Sequence, residues 1–453
     1  MNIVIAYTTL TILVLLVWRQ IKVWRTRVLL SPGFYFGALW ILGVFGSTVF
    51  FGLELIPSRF PQYINELNIL VGFSGLCFLF ITPVGRSKIN TDAIDVDFTS
   101  KRVFKILSLL TLLAAMYEFA RTGFNLNMGA AREEMHDIID GRPSWVGYLS
   151  IAVVPLSIWA GSKIIHIIMS KTRISIVDAL FLSVPLVANL IFSITVGGRV
   201  DFVYCFVNYL IGMSFALPIN KSLKEIKKPL LLMFASLLLV MVFITAVAKQ
   251  RTENSTGQIS EMQEAFEDMY PQAKFLYGPV AYMTDTYVGY QYRRDDAVDL
   301  KHLGYGRYTF NGFINWTLPF AGAFGMADKS IANALGIYYN NQETYDFQRD
   351  FYYVTHSGYI PMVKDFGVTG SLFCILFLVI VAHLLFVGIQ RRRSIKRATV
   401  IFVFMMFLFY WLKMNYYGTL SASVIVGLYG YLIVDIFNIF INPLTFKRSD
   451  YGN

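Results

Sequence analysis

Four arginines stand where a charged side chain is costly and useful. Arg199 sits in Val196-Gly197-Gly198-Arg199-Val200-Asp201, between two apolar runs with almost no loop between them. Two glycines let a backbone turn sharply and approach a ligand closely. Arg251 follows another apolar run in Ala248-Lys249-Gln250-Arg251, and Arg132 and Arg142 lie in a short stretch after an earlier one. An arginine in such a place binds phosphate bidentately and keeps its charge away from water. The alternative for each is snorkelling to the interface or pairing with lipid headgroups. The tight Gly-Gly turn favours a ligand role for Arg199. A second feature is Thr355-His356-Ser357-Gly358-Tyr359, followed by Asp365-Phe366-Gly367-Val368-Thr369-Gly370. His356 at the mouth of a span has the chemistry of a general base on a hydroxyl, or of a structural cap. Asp365 is expected in the first turn of a helix, where the dipole favours a carboxylate, and reads first as structural.

Other chemistry is poorly represented. His166 and His383 read as structural residues near span ends, and His136 and His302 have no metal-ligand partner at useful spacing. Neither a phosphate-binding glycine loop nor a dinucleotide fingerprint occurs, so the sequence calls for no cofactor and no metal. Cys77, Cys205 and Cys374 all fall within apolar runs and read as small core residues. Tyr338, Tyr339, Tyr345, Tyr352 and Tyr353 crowd one stretch. Such rings stack on sugars, or form an interfacial belt.

The elements that must position these residues are membrane spans. The chain of 453 residues is 56% hydrophobic and only 15% charged, against about 25% charged in soluble domains. Its net charge of +10 does not indicate nucleic acid, because the basic residues lie between apolar spans. No basic stretch precedes the first apolar run. Arg19, Lys22, Arg25 and Arg27 follow it, so it reads as a retained span and not as a cleaved signal. Apolar runs with few charges, of about the 20 residues needed to cross a bilayer, fall at 1–18, 33–53, 67–85, 103–120, 145–166, 175–197, 200–218, 229–248, 366–390, 398–413 and 418–440. Backbone polar groups must be paired internally in lipid, so these are helices. The expectation is an all-α polytopic membrane protein of about eleven spans. The fourth, with Lys105 and Glu118, and the short tenth are the weakest.

Orientation follows the basic short loops. Those at 19–27, 86–105, 171–173, 221–228 and 391–397, with the tail, fall on one side, the expected cytoplasm. The N-terminus is then outside and the C-terminus inside. The chain divides into spans at 1–248, a large outward loop at 249–365, and spans with a tail at 366–453. In the loop, Phe310–Ala327 is uncharged but broken by Gly312, Pro319, Gly322 and Gly325, and reads as re-entrant or interfacial. Ile259, Met262, Phe266 and Met269 have the spacing of an amphipathic surface helix. The sequence shows no internal repeat, which weighs against a duplicated transporter.

Taken together, Gly198-Arg199 between central spans, Lys249-Gln250-Arg251 at the start of a large late loop, and His356-Ser357-Gly358 through Asp365-Phe366-Gly367 and Gly370 at its end resemble a known pattern. It is that of the bacterial O-antigen polymerase (Wzy-type) family of oligosaccharide repeat-unit polymerases, related to the O-antigen ligases. The resemblance covers nearly the whole chain as architecture and three short motifs as sequence. An Arg-x10-Gly pattern of some members is not reproduced, since Arg132 and Gly141 stand too close. The resemblance implies glycosyl transfer between undecaprenyl-diphosphate-linked oligosaccharides on the periplasmic face of the inner membrane, without nucleotide sugars and with a polysaccharide chain-length regulator as a candidate partner. It casts Arg199 and Arg251 on the donor diphosphate and His356 at the acceptor hydroxyl. Arg132, Arg142, Lys249, Gly198, Tyr353 and Asp365 would be substrate-binding positions. A diphosphate leaving group needs charge stabilisation more than protonation, and positioned arginines supply it. The absence of a carboxylate pair at the outer mouth fits transfer better than hydrolysis. An O-antigen ligase, a flippase of lipid-linked oligosaccharide and a non-catalytic membrane scaffold are the competing readings.

Overall fold

The computed structural model describes residues 2–52, 60–84, 99–122, 143–196, 199–217, 357–391 and 419–441, with scattered positions between 227 and 309. For some helical positions, Arg199–Cys205 among them, only the backbone is described. Every regular element among these residues is helical. They are α1 (Ile3–Trp24), a 3-10 turn (Arg25–Leu30), α2 (Pro32–Gly52), α3 (Pro61–Ile81) and α4 (Lys101–Thr122). After them come α5 (Ser144–Ser170), α6 (Ile176–Val196), α7 (Arg199–Ala216), α8 (Tyr359–Arg391) and α9 (Thr419–Ile441). Seven of the described helices, all except α7 and α9, are long and apolar enough to cross a membrane. The chain is a polytopic α-helical membrane protein.

Polar pairs at the helix ends fix which ends meet. At the N-terminal pole the Asn2 N–H donates to Asn65 Oδ1 at 2.8 Å, joining the starts of α1 and α3. At the opposite pole Gln20 bridges α1, α2 and α3, donating to Thr82 and accepting from Ser31, each at 2.5 Å. The end of α8 joins them there. His383 Nε2 donates to the Val84 carbonyl at 2.8 Å, and Phe386 meets the edge of Trp24 at 4.7 Å between ring centres. One apolar cluster at that pole holds Trp24, Leu30, Phe104, Leu217, Phe386 and Val434, so α4 starts where α1, α7, α8 and α9 finish.

The helices form two groups. In the first, α1, α2, α3 and α8 enclose a core around Trp40, Phe36, Phe78 and Leu13. In the second, α5 packs against α4, α6, α7 and α9. Small residues set the closest approaches there. A Cβ at Gly161 would overlap the Tyr209 carbonyl, and one at Gly212 would overlap the Ile158 carbonyl, so α5 and α7 touch backbone to backbone. Glycine at such a crossing permits the dispersion contact that drives association in lipid.

The fourth span, weak by sequence, is a full 22-residue helix. The two charges within its expected bounds, Lys105 and Glu118, are both paired. Lys105 Nζ lies 2.6 Å from Asp178 at the start of α6, and Glu118, fully buried, lies 2.9 Å from Arg121 one turn on. Pairing lowers the cost of charge near hydrocarbon, which a count of charged residues does not register. The eighth expected span, at 229–248, falls largely outside the described residues, and the tenth, at 398–413, entirely so. Phe310–Ala327 and the amphipathic positions Ile259, Met262, Phe266 and Met269 also lie outside them.

Candidate functional site

Helix α3 carries Glu66, Asn68 and Ser74, three polar groups in a span that hydropathy reads as apolar. Their partners come from the second half of the chain. Thr284, Thr286, Tyr287, Tyr290, Gln291 and Arg294 are helical and all buried. The spacing of Tyr287, Gln291 and Arg294 puts them on one helical face. The Tyr287 hydroxyl donates to Asn68 Oδ1 at 2.6 Å, and its ring lies edge-on to Trp40 at 5.8 Å. The Tyr290 hydroxyl donates to Glu66 Oε1 at 2.6 Å. Gln291 Oε1 accepts from the Phe60 N–H at 3.2 Å, at the very start of α3. Moving from Tyr287 to Gln291, the contacts step from Asn68 to Phe60. This piece of chain therefore climbs towards the N-terminal pole, having begun about 10 Å inside α3.

Arg294 completes the cluster. Its Nε lies 2.7 Å from Glu66 Oε1, its Nη2 3.4 Å from Oε2, and the guanidinium sits over the Tyr63 ring at 5.4 Å. Burial pulls the guanidinium pKa down, but the hydrogen-bonded Glu66 carboxylate outweighs burial and the net direction is up. For Tyr290, burial and then the Glu66 charge both push its pKa far above the ordinary phenol value. The group is thus a phenol and a guanidinium that both donate to one carboxylate. Glu66 keeps 19% of its side chain exposed and Arg294 8%, so the cluster opens at the N-terminal pole. Asn68 Nδ2, Trp40 Nε1, Thr286 Oγ1 and Arg294 Nη1 are buried with no hydrogen-bond partner among the described residues.

Helix α8 supplies the remaining wall and is sharply broken. Gly367 has φ 65° and ψ 178° inside it, a conformation open essentially to glycine alone. Contacts on either side show what the break does. The Tyr359 hydroxyl lies 2.6 Å from Ser74 Oγ, while His383 reaches Val84. Along α3 those two levels are about 15 Å apart, yet about 24 residues of straight helix from Tyr359 to His383 would rise about 36 Å. The lead-in before Gly367 therefore folds back, starting deep in the first group and climbing to the break. Ser357, Tyr359 and Ile360 are fully buried, as is Asp365.

Asp365 differs from expectation. It stands at the end of this lead-in and not in a first helical turn, because α8 begins at Tyr359 and breaks at Gly367. Its Oδ2 accepts the Thr309 N–H at 2.6 Å, so the carboxylate ties the loop backbone to α8. Among the other sequence-predicted site residues, Arg199 opens α7 in the second group, and its side chain is not among those described. Gly198, Lys249, Arg251, Arg132, Arg142, Tyr353 and His356 lie outside the described residues, although Ser357 and Gly358, which follow His356 directly, are buried. Among the described residues no group of His, Cys, Asp and Glu could hold a metal ion, and Cys77 and Cys374 are free thiols.

Sequence reading missed Glu66, Asn68, Tyr287, Tyr290 and Arg294. The signal was the Tyr-x2-Tyr-Gln-x2-Arg spacing from Tyr287 to Arg294, a helical face with hydrogen-bonding tips, in a stretch not read as inserting. Set against known proteins, the chain matches no family model, no curated protein and no solved structure.

Proposed function

We propose that this protein is a glycosyltransferase of the bacterial inner membrane. In this reading it joins undecaprenyl-diphosphate-linked oligosaccharide repeat units into a surface polysaccharide, on the periplasmic side. The observation that carries the reading is a pair of chain pieces whose described residues, from Thr284 to Arg294 and from Ser357 to Phe366, begin inside the first helix group and climb out of its depth. They bring the buried Ser357-Gly358 end of the His356 motif into the membrane domain. A lipid-linked donor has its diphosphate at the membrane surface, so a transferase for it needs polar chain at that depth, under protein cover. Irregular or polar backbone is tolerated there only when buried in protein or lining a cavity.

In the proposed reaction the acceptor hydroxyl gives its proton to the His356 imidazole and attacks the anomeric carbon of the donor, while the bond to the diphosphate oxygen breaks and the diphosphate leaves. Arg199 and Arg251 stabilise the charge developing on the leaving diphosphate, and the donor needs no metal or nucleotide. Eleven spans with the N-terminus periplasmic and the C-terminus cytoplasmic belong to the same proposal. The alternation of the described helices between two poles supports it, with 229–248 and 398–413 supplying the two crossings that the alternation requires.

The test is reconstitution. Purified protein supplied with a defined lipid-diphosphate repeat unit should give a ladder of products, and Arg199→Ala should abolish the ladder while the protein stays in the membrane. Normal product lengths from Arg199→Ala would overturn the assignment. Transfer of a preformed chain to a lipid A core, with no ladder, would instead identify a ligase.

A further inference from the structure

The chain up to Leu53 holds the cations Arg19, Lys22, Arg25 and Arg27 and no carboxylate, the first acidic residue being Glu54. Arg27 is buried in the 3-10 turn. The other three stand at the end of α1, and among the described residues none of them forms an ion pair. Helix geometry sets their depth. From Ile3 to Lys22 the helix rises about 28 Å, close to the hydrocarbon thickness of about 30 Å. Lys22 and Arg25 therefore reach the headgroup layer at the pole opposite the N-terminal one. The half-buried Arg19 side chain extends to it from within the span.

The outward face of α1 leads to these charges. Leu15, Trp18 and Lys22 share that face by their spacing. Leu15 is 47% exposed and Trp18 58%. Lys22 is exposed too, and its ammonium lies 5.0 Å over the Trp18 ring. That contact holds the charge at the depth of the indole, and tryptophan itself favours the membrane interface. Arg25 closes the helix at φ 49°, its N–H donating to the Ile21 carbonyl and its side chain exposed. A non-glycine residue rarely takes such a backbone. In order of depth the face thus presents an apolar strip, an aromatic ring and a group of cations.

That order selects the partner. An inorganic anion would meet the cations and leave the strip bare. A zwitterionic headgroup would bring its own ammonium among three cations, which repel it. An acidic peptide would have to lay polar backbone against a ring that faces lipid. An anionic phospholipid sets its phosphate among the guanidinium and ammonium donors and its acyl chain along Val14 and Leu15. We propose that Arg19, Lys22 and Arg25, backed by Trp18, form a binding site for the headgroup of an anionic phospholipid. The site goes beyond the glycosyltransferase reading and does not depend on it.

The experiment uses full-length protein in detergent micelles, titrated with phosphatidylglycerol or with phosphatidylcholine of the same acyl chains. Bound lipid is read by native mass spectrometry. The wild type should hold phosphatidylglycerol tenfold or more tightly than phosphatidylcholine, and millimolar inorganic phosphate should not displace it. Combining Arg19→Gln, Lys22→Gln and Arg25→Gln should remove the preference. Combining Lys171→Gln and Arg173→Gln, at two exposed cations of the same pole outside the patch, should keep it. Removing basic residues can also change how a span inserts. Trp18→Leu keeps every charge and is the second test, expected to weaken phosphatidylglycerol severalfold and leave phosphatidylcholine unchanged. Equal affinity for the two lipids, displacement by phosphate, or equal loss in the Lys171 and Arg173 variant would overturn the site. So would an unchanged preference in both the triple variant and Trp18→Leu. Phosphatidylglycerol binding that appears only when Asp92→Asn, Asp95→Asn and Asp97→Asn are introduced would overturn it as well, because the chain's own carboxylates would then be the occupant. Ladder formation has no bearing on any of these outcomes, so the site stands if the polymerase reading fails.

Discussion

Replacing Gly367 by alanine tests the fold-back of α8 directly. The residue sits at φ 65° and ψ 178°, and a Cβ added to it would meet nothing within 4 Å. Any penalty is therefore one of backbone conformation and not of crowding. Holding a non-glycine residue in that region costs about 1–3 kcal/mol. Alanine recovers about 0.4–1 kcal/mol by restricting the unfolded chain, leaving a net loss of about 1–2 kcal/mol. That is a roughly 5- to 30-fold fall in the folded-to-unfolded ratio. Gly388 is the internal control. It lies in the same helix without a positive φ and also has nothing within 4 Å of an added Cβ. There alanine should be neutral or stabilise by up to about 1 kcal/mol, because glycine is a poor helix former. The assay is unfolding by SDS in mixed micelles, followed by tryptophan fluorescence. The two variants should move in opposite directions. If Gly367→Ala tracks Gly388→Ala, the break at Gly367 is not there and the lead-in does not fold back.

Other outcomes follow from named contacts. Ser74 Oγ donates to the Leu70 carbonyl at 2.8 Å, so it accepts from the Tyr359 hydroxyl. Tyr359→Phe then removes one neutral hydrogen bond and should cost about 0.5–1.5 kcal/mol, whereas Ser74→Ala takes that acceptor from a buried phenol and should cost about 1–3 kcal/mol in the same unfolding assay. Gly212→Ala sets a methyl against the Ile158 carbonyl, with no flexible side chain to yield. It should part α5 from α7 and lower the midpoint further than Gly147→Ala, whose Cβ has open space. Removing the Glu66 charge by Glu66→Gln leaves the Arg294 guanidinium buried without its counter-ion, and should cost about 3–5 kcal/mol as read from the unfolding midpoint.

The helices were legible from the sequence because uncharged length is a sufficient signal for a span. The nine expected spans that fall on described residues each coincide with a helix, including the one that Lys105 and Glu118 made doubtful. Their ends were less legible. Helix α3 starts at Pro61 and not at 67, since Glu66 is neutralised by an arginine more than two hundred residues away. The buried segment ending at Arg294 was invisible to hydropathy for a related reason. Chain that enters a membrane domain under protein cover needs groups complementary to its neighbours, and apolar length is not required of it. Thr286, Tyr287, Tyr290 and Gln291 answer to Asn68, Glu66 and Phe60, a match that exists only once both are placed. The partner of Asp365 was not legible, because a backbone N–H at Thr309 leaves no trace in residue type.

The polar contacts of α3 have a consequence for biogenesis. Asn68 waits for Tyr287, 219 residues later, Ser74 for Tyr359, 285 residues later, and Val84 for His383, 299 residues later. A chain emerging N-terminal end first inserts α1, α2 and α3 long before any of these partners is made. During that interval Glu66, Asn68 and Ser74 face lipid, one another or an attendant chaperone. The first helix group is thus the earliest to enter the membrane and among the last to close. A chain truncated before residue 284 would present an unsatisfied polar stripe within the bilayer, the kind of lesion by which membrane quality control recognises an unfinished protein.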